Sequence, residues 1–173
     1  MGAEFKCKCP KCGYSFYASL ELGMPHPSVV EEETKKMKAG VYGDQGKRFF
    51  EEHPDGKITC YDVVIRCKSC GNLEVRKEFN LLVLYPAFIK AKRRVMEKIK
   101  AGDPDFNEGL IKWLDSMPVF LKYVLHESYN HFCSKCGSPA EIIEDFSELQ
   151  HKRKIRCPEC GKRLKEDRSI LWD

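Results

Sequence analysis

The sequence predicts an α+β protein: two small antiparallel sheets joined by a helical block. Three observations carry this expectation. Four Cys-x-x-Cys-Gly knuckles occur, at 9–13, 67–71, 133–137 and 157–161. The stretches beside them alternate in polarity or are rich in β-branched and aromatic residues, as half-buried strands are. Between residues 86 and 129 the apolar residues recur at helical spacing instead.

In order along the chain, Tyr14 to Leu20 alternates and reads as a strand leaving the first knuckle, and Met24-Pro25-His26-Pro27 breaks it. Ser28 to Ala39, rich in Glu and Lys around Val29, Val30 and Met37, reads as a short helix. Gly40, Gly43 and Gly46 punctuate the next stretch, with a helical turn at Arg48 to Glu52 and a turn at His53-Pro54-Asp55-Gly56. Ile58 to Arg66 leads as a strand into the second knuckle, and Leu73 to Tyr85 leaves it as one or two strands. Phe88, Ala91, Val95 and Ile99 then mark a helix that Ala101-Gly102 stops. Asp103-Pro104-Asp105 reads as the N-cap and first turn of a second helix, carrying Phe106, Leu110, Trp113, Leu114 and Met117. Phe120, Leu121, Val124 and Leu125 suggest a third helix ending near Tyr129. Ala140 to Phe146 and Lys152 to Arg156 read as a hairpin between the last two knuckles, with the tail from Leu164 docked on the body. The domain expectation is therefore linear: 1–85, with a long insertion at 24–57; a helical connector at 86–129; and 130–173.

The chain has 173 residues, 42% hydrophobic and 32% charged, which is a soluble globular composition and not a disordered one. No apolar run follows Met1 as a secretory signal would, and no stretch approaches the roughly 18 apolar residues of a membrane span. A cytoplasmic protein with no membrane association is expected. Eight of the ten cysteines fall in Cys-x-x-Cys pairs. In a reducing compartment that arrangement favours metal over disulfides.

Two residues between cysteines let a tight turn aim both sulfurs at one point, and a following glycine takes the left-handed conformation without steric cost. The expected ligands are Cys9, Cys12, Cys67 and Cys70 for one zinc ion and Cys133, Cys136, Cys157 and Cys160 for a second. Twenty residues separate Cys136 from Cys157, within ordinary zinc-ribbon spacing; 54 separate Cys12 from Cys67, as if the same ribbon carried an insertion. The competing arrangement is nested: Cys9/Cys12 with Cys157/Cys160, and Cys67/Cys70 with Cys133/Cys136. Four sulfurs close the coordination shell, which points to structural ions; a catalytic zinc keeps a position open. Cys7 and Cys60 are left over and read as small buried hydrophobes.

No nucleophile elbow, P-loop, dinucleotide fingerprint or placeable acid/base pair appears. His126-Glu127 and His131 miss the zincin spacing by one residue, and His131 reads as an exposed histidine. A non-enzymatic protein is expected. Two basic clusters stand out. Lys90, Lys92, Arg93, Arg94 and Lys98 load the first connector helix, while Lys152, Arg153, Lys154, Arg156, Lys162 and Arg163 bracket the last knuckle. Such residues can track a phosphate backbone. The formal charge of +4 does not itself argue for nucleic acid. A zinc tetrathiolate carries about −2, so two of them offset it.

The Cys9-Pro10-Lys11-Cys12-Gly13 knuckle, its following strand, a long insertion and the knuckle at Cys67-Lys68-Ser69-Cys70-Gly71 resemble the CpXC domain family over about residues 5–85. The C-terminal part resembles a zinc ribbon with rubredoxin-like knuckles. The first resemblance implies zinc and little more; the second implies a place in nucleoprotein machinery. The expected role is binding, with nucleic acid or a nucleoprotein complex as the partner. The alternatives are a protein–protein adaptor docking through the helical block around Trp113, Phe120 and Tyr123, and, further behind, cysteine-based redox or enzyme chemistry.

Overall fold

A computed structural model describes residues 2–21 and 25–172. Met24, part of the expected break after the first strand, lies outside them, as do the side chains of the tail residues Leu171 and Trp172. The fold is α+β, with six helices and two antiparallel sheets among the described residues. The chain divides into two compact units, neither continuous in sequence. The first comprises 1–33, 59–79 and 129–173; the second comprises 34–58 and 80–128. The linear three-part division is corrected accordingly: strand pairing between distant segments, and not order along the chain, decides what packs together.

The first unit is built on a three-stranded sheet of order β2-β1-β8, from β1 (Gly2–Lys8), β2 (Ser15–Glu21) and β8 (Lys165–Trp172). β1 is flanked on both sides, pairing Phe5 with Ala18 on one and with Ser169 on the other. Ala3, Phe5 and Cys7 point inward while Lys6 and Lys8 face solvent, the period-two alternation of a half-buried strand. Cys9 continues that inward row, and with Phe16, Ala18, Leu20, Val64, Leu73, Ile155 and Leu164 these residues make the core. Helix α6 (Phe146–His151) closes it, with the Phe146 ring edge-on to Phe5 at 5.6 Å and to Phe16 at 6.0 Å.

The second sheet has the order β5-β4-β3-β7-β6, from β3 (Lys57–Cys67), β4 (Leu73–Leu84), β5 (Tyr123–Ser128), β6 (His131–Phe132) and β7 (Pro139–Ile142). In the second unit, the end of β4 pairs with β5, Leu84 opposite Tyr123 and Val83 opposite Val124. Helix α1 (Pro27–Lys38) begins in the first unit and ends in the second, where it meets α2 (Asp44–Glu52). Their approach is so close that a Cβ on Gly46 would overlap the buried Met37 side chain, so only glycine fits there. Helices α3 (Pro86–Lys100) and α4 (Glu108–Ser116) bury Phe88 and Leu114, and the single turn α5 (Val119–Lys122) leads into β5.

Several elements differ from expectation for identifiable reasons. The second connector helix starts at Asn107, whose side chain accepts the Gly109 N–H at 2.9 Å; Asp103 caps an isolated turn four residues earlier. The third helix stops after one turn because Tyr123 to Ser128 find a strand partner in β4, and ladder hydrogen bonds outweigh a short 3.6-residue pattern. Ala140 to Phe146 is a strand only to Ile142; Asp145, left-handed at φ 51°, turns the chain into α6. Lys152 to Arg156 is not a strand: Arg153 is left-handed at φ 53°, and one isolated bridge joins Arg156 to Arg163.

Candidate metal centres

Each knuckle repeats one local geometry. The first cysteine donates its N–H to the carbonyl five residues on: Cys9 to Tyr14, Cys67 to Asn72, Cys133 to Ser138 and Cys157 to Lys162, at 2.7–2.9 Å. The glycine donates back to the first cysteine's carbonyl at 2.9–3.1 Å. Gly13, Gly71, Gly137 and Gly161 all lie in the left-handed region at φ 68–79°, which is why glycine ends every knuckle. In each the first cysteine is buried and the second is more open.

The eight sulfurs gather in two groups, and within each every ligand atom lies within 4.8 Å of the others. The groups are Cys9, Cys12, Cys157 and Cys160, and Cys67, Cys70, Cys133 and Cys136. The pairing is therefore nested, which corrects the sequential assignment of ligands. The reason lies in the sheets. β1 enters the first knuckle and β8 leaves the last; their pairing sets Lys8 opposite Lys165 and so brings those two knuckles together. β3 enters the second knuckle and β7 leaves the third; Cys67 stands opposite Ala140 and the Lys68 N–H reaches the Pro139 carbonyl at 3.0 Å. Each site is thus closed by one strand running in and another running out.

The donor sets fit a tetrahedral metal ion. The sulfurs of Cys9 and Cys160 lie 3.4 Å apart, those of Cys12 and Cys157 3.5 Å, Cys67 and Cys136 3.4 Å, and Cys70 and Cys133 3.7 Å. A tetrahedron with metal–sulfur bonds near 2.3 Å has edges of about 3.8 Å, whereas a disulfide would need about 2.05 Å. Within each group the thiols ionise unequally. N–H groups of Cys12 and Lys11, with the Cys160 thiol, hold Cys9 down at about 6. Cys12 receives an N–H from Tyr14, but desolvation and its three neighbouring thiols push it up to about 12. The second group repeats this: Ser138 chiefly lowers Cys136 to about 6, while Cys70, despite the Asn72 N–H, is raised to about 12. Four thiols this close cannot all ionise without a cation among them.

The surroundings of the two groups differ. At the second, Glu74 Oε1 accepts from the Ser134 N–H and from Asn72 Nδ2, each at 2.9 Å, and Asn72 Nδ2 also lies 3.9 Å from Cys133 Sγ. Burial alone would raise the Glu74 carboxyl, but the Ser134 N–H, Arg76 and Asn72 hold it below its ordinary range. Glu74 thereby straps the third knuckle to β4. The two groups are also neighbours: Gly71 packs on Pro158, and the Arg66 guanidinium donates to the Arg156 carbonyl at 3.1 Å. Sequence reasoning missed Asn72, Glu74 and Arg66. The only available signal was their position, immediately beside the second knuckle.

Other candidate residues are placed as ordinary core or surface groups. Cys7 and Cys60 are buried and stand outside both groups; burial, and then the Glu166 charge, pushes Cys7 up to about 12. His131, expected to be exposed, is buried edge-on to Tyr129, and burial lowers its pKa. On α3, Lys92 pairs with Asp115 and Lys98 with Asp103, while Lys90, Arg93 and Arg94 are exposed and enter no ion pair among the described residues. Around the last knuckle Lys152 pairs with Glu148 and Arg156 holds the Gly161 carbonyl. Arg153, Lys154, Lys162 and Arg163 are exposed, again without ion pairs among the described residues. The two basic clusters belong to different units. No helix among the described residues is long and apolar enough to cross a membrane.

No protein-family model, curated protein or solved structure matches the chain. The two knuckles that carry the CpXC resemblance lie in different four-sulfur groups.

Proposed function

We propose that both groups hold zinc as structural ions and that the protein is a non-enzymatic binding module for nucleic acid or a nucleoprotein complex. The observation that carries the first part is the all-sulfur donor set at tetrahedral spacing. Soft thiolates in that geometry favour zinc, and four of them leave no coordination position for a substrate or an activated water. The metal's work is then to hold together segments that lie far apart in sequence.

Nucleic-acid binding is supported by cations that enter no ion pair among the described residues and lie close in sequence to a knuckle. Arg153, Lys154, Lys162 and Arg163 surround the Cys157 knuckle, where a rigid turn would present them to phosphates at low entropic cost. Two measurements test the proposal. Elemental analysis of the purified protein is expected to give about two zinc per chain; none or one would overturn the assignment. Fluorescence anisotropy with random-sequence single- and double-stranded oligonucleotides should show binding that weakens steeply with salt, and Lys162→Glu/Arg163→Glu should lower it. No binding at low salt removes nucleic acid from the reading.

A second reading, a protein–protein adaptor, is favoured by a different observation in the second unit. Trp113, Val119, Phe120, Leu121, Val124 and Leu125 are all exposed within one short stretch of chain. Soluble surfaces seldom leave that much apolar area uncovered without a partner for it.

A further inference from the structure

We propose that the apolar rim formed by α4, α5 and the open edge of β5 receives an extended, acidic segment of a partner protein, which adds to the sheet as a further strand. The inference rests on the adaptor reading and says what kind of partner it serves.

Three features of the second unit select this occupant. The first is apolar area. Phe120 is 78% exposed, Trp113 58% and Leu125 57%. The group mixes aromatic with aliphatic side chains, and the aliphatic ones offer a nucleobase nothing to stack on.

The second is backbone. β5 ends its sheet, hydrogen-bonded to β4 on one side and to no strand on the other among the described residues. At its ends the Tyr123 N–H is already given to the Val119 carbonyl and the Ser128 carbonyl accepts from Gln45 Nε2 at 3.0 Å, so the stretch open to a partner is short and centred on Leu125. Another polypeptide backbone satisfies such edge N–H and C=O groups and a lipid or a nucleic acid does not. Natural edges are blunted with lysine, proline or a bulge; Tyr123-Val124-Leu125 carries no lysine or proline, and the bulge falls just after it. The strand is also held ready. His126 is the extra residue of a bulge, Glu127 pairing with Leu81 and Leu125 with Leu82. Its ring sits 4.7 Å from His53 and 5.8 Å from Phe49, while the Tyr123 hydroxyl donates to the Asp55 carbonyl. An edge already ordered loses less entropy when a segment docks.

The third is charge. The Tyr85 N–H donates to the Lys122 carbonyl at 2.7 Å, which fixes the start of α3 beside the start of β5. On α3 the exposed Ile89 and Met96 share a stripe with Arg93 and Lys100, at helical spacings of three and four. Lys92 and Lys98 are neutralised by Asp115 and Asp103, but Lys90, Arg93, Arg94 and Lys100 meet no acid among the described residues. Helix α3 thus sets cations beside its own exposed apolar residues, and the Lys92–Asp115 pair ties it to α4. A segment that alternates apolar residues with Asp or Glu complements both, whereas a second copy of the chain would set one cationic helix against another.

The test uses the full chain loaded with zinc and a phage-displayed library of random dodecapeptides. Enriched peptides are expected to alternate apolar residues with Asp or Glu. A synthetic peptide of the enriched sequence should slow hydrogen exchange at the β5 amides. Phe120→Ser should weaken its binding about tenfold or more, as loss of an exposed aromatic anchor does. Arg93→Glu/Arg94→Glu should weaken it by roughly tenfold at low salt and less at high salt. Both variants alter exposed side chains, and unchanged circular dichroism and zinc content verify their fold. Peptides that bind this face without protecting β5, or without an acidic bias, overturn strand addition and leave the adaptor reading standing. No enrichment at all overturns both. So does a surface that instead binds an oligonucleotide, or vesicles of phosphatidylcholine and phosphatidylglycerol, in a manner lost with Phe120→Ser.

Discussion

The two four-cysteine groups are built from the same knuckle and closed in different ways. At Cys9, Cys12, Cys157 and Cys160 the closure comes from β1 and β8, so the group depends on strands at opposite ends of the sequence. At Cys67, Cys70, Cys133 and Cys136 it comes from β3 and the short β7, reinforced by Glu74 strapping the third knuckle. A Cys-x-x-Cys-Gly turn therefore determines its own shape and nothing about its partner. Partner choice belongs to the strands, and a side chain such as Glu74 can make one of two like sites the firmer.

Metal removal should produce the largest effect. Structural zinc contributes on the order of 10–16 kcal/mol per site, as much as a domain's whole stability. Chelation is expected to abolish hydrogen-exchange protection in 2–21, 59–79 and 129–172 while α3 and α4 keep measurable helicity. Simultaneous loss of those helices would mean that the second unit does not stand without the first.

Next in size is a test of the nesting itself. Cys9→Ser/Cys157→Ser removes two ligands from one group and should leave about one zinc per chain. Cys9→Ser/Cys67→Ser strikes both groups and should leave almost none. Sequential pairing requires the opposite result, so zinc stoichiometry of these two variants decides the matter.

Glu74→Ala should weaken only the inner group, by roughly 10–100-fold in metal affinity, the usual range for an outer-shell support. Competition with a chromophoric chelator would then resolve two classes of zinc farther apart than in the parent. Equal weakening of both classes would show that the strap supports the fold and not the site.

The smallest effect concerns pH. Because the folded carboxyl of Glu74 is lowered, its contribution is complete above its ordinary value near 4.5 and fades as pH falls through the lower folded value. Metal-retention curves of the parent and Glu74→Gln should therefore stay separated down to about pH 4.5 and converge only below it. Convergence at higher pH would show that Glu74 is not held ionised.

Much of this architecture could be read from residues alone. The four knuckles, their glycines and most of α1, β2, β3, β4 and α3 follow from spacing and period. The elements that could not be read depend on contacts far apart in sequence. Tyr123 to Ser128 is helical by pattern and becomes a strand because β4 offers it a ladder. Phe146 reads as the end of a strand and becomes the first residue of a helix because two phenylalanine rings receive it. The nested grouping had one signal in the sequence. Ala3, Phe5 and Cys7 alternate with Glu4, Lys6 and Lys8 in a strand that, like the tail after Leu164, needs a partner; each supplies the other's. Asn72 and Glu74 had no signal of their own, since an amide and a carboxylate beside a knuckle look like any polar surface.

Nesting also makes one order of closure cheaper than the other as the chain folds. The inner sulfurs are separated by 63–69 residues, the outer ones by 145–151. Closing the longer loop first would cost about 0.7 kcal/mol more in chain entropy. Closing it second costs less, because a clasped inner pair has already shortened the path. If each group holds an ion, the Cys9–Cys12 knuckle would wait longest for its partners, with its two thiols open to oxidation until then.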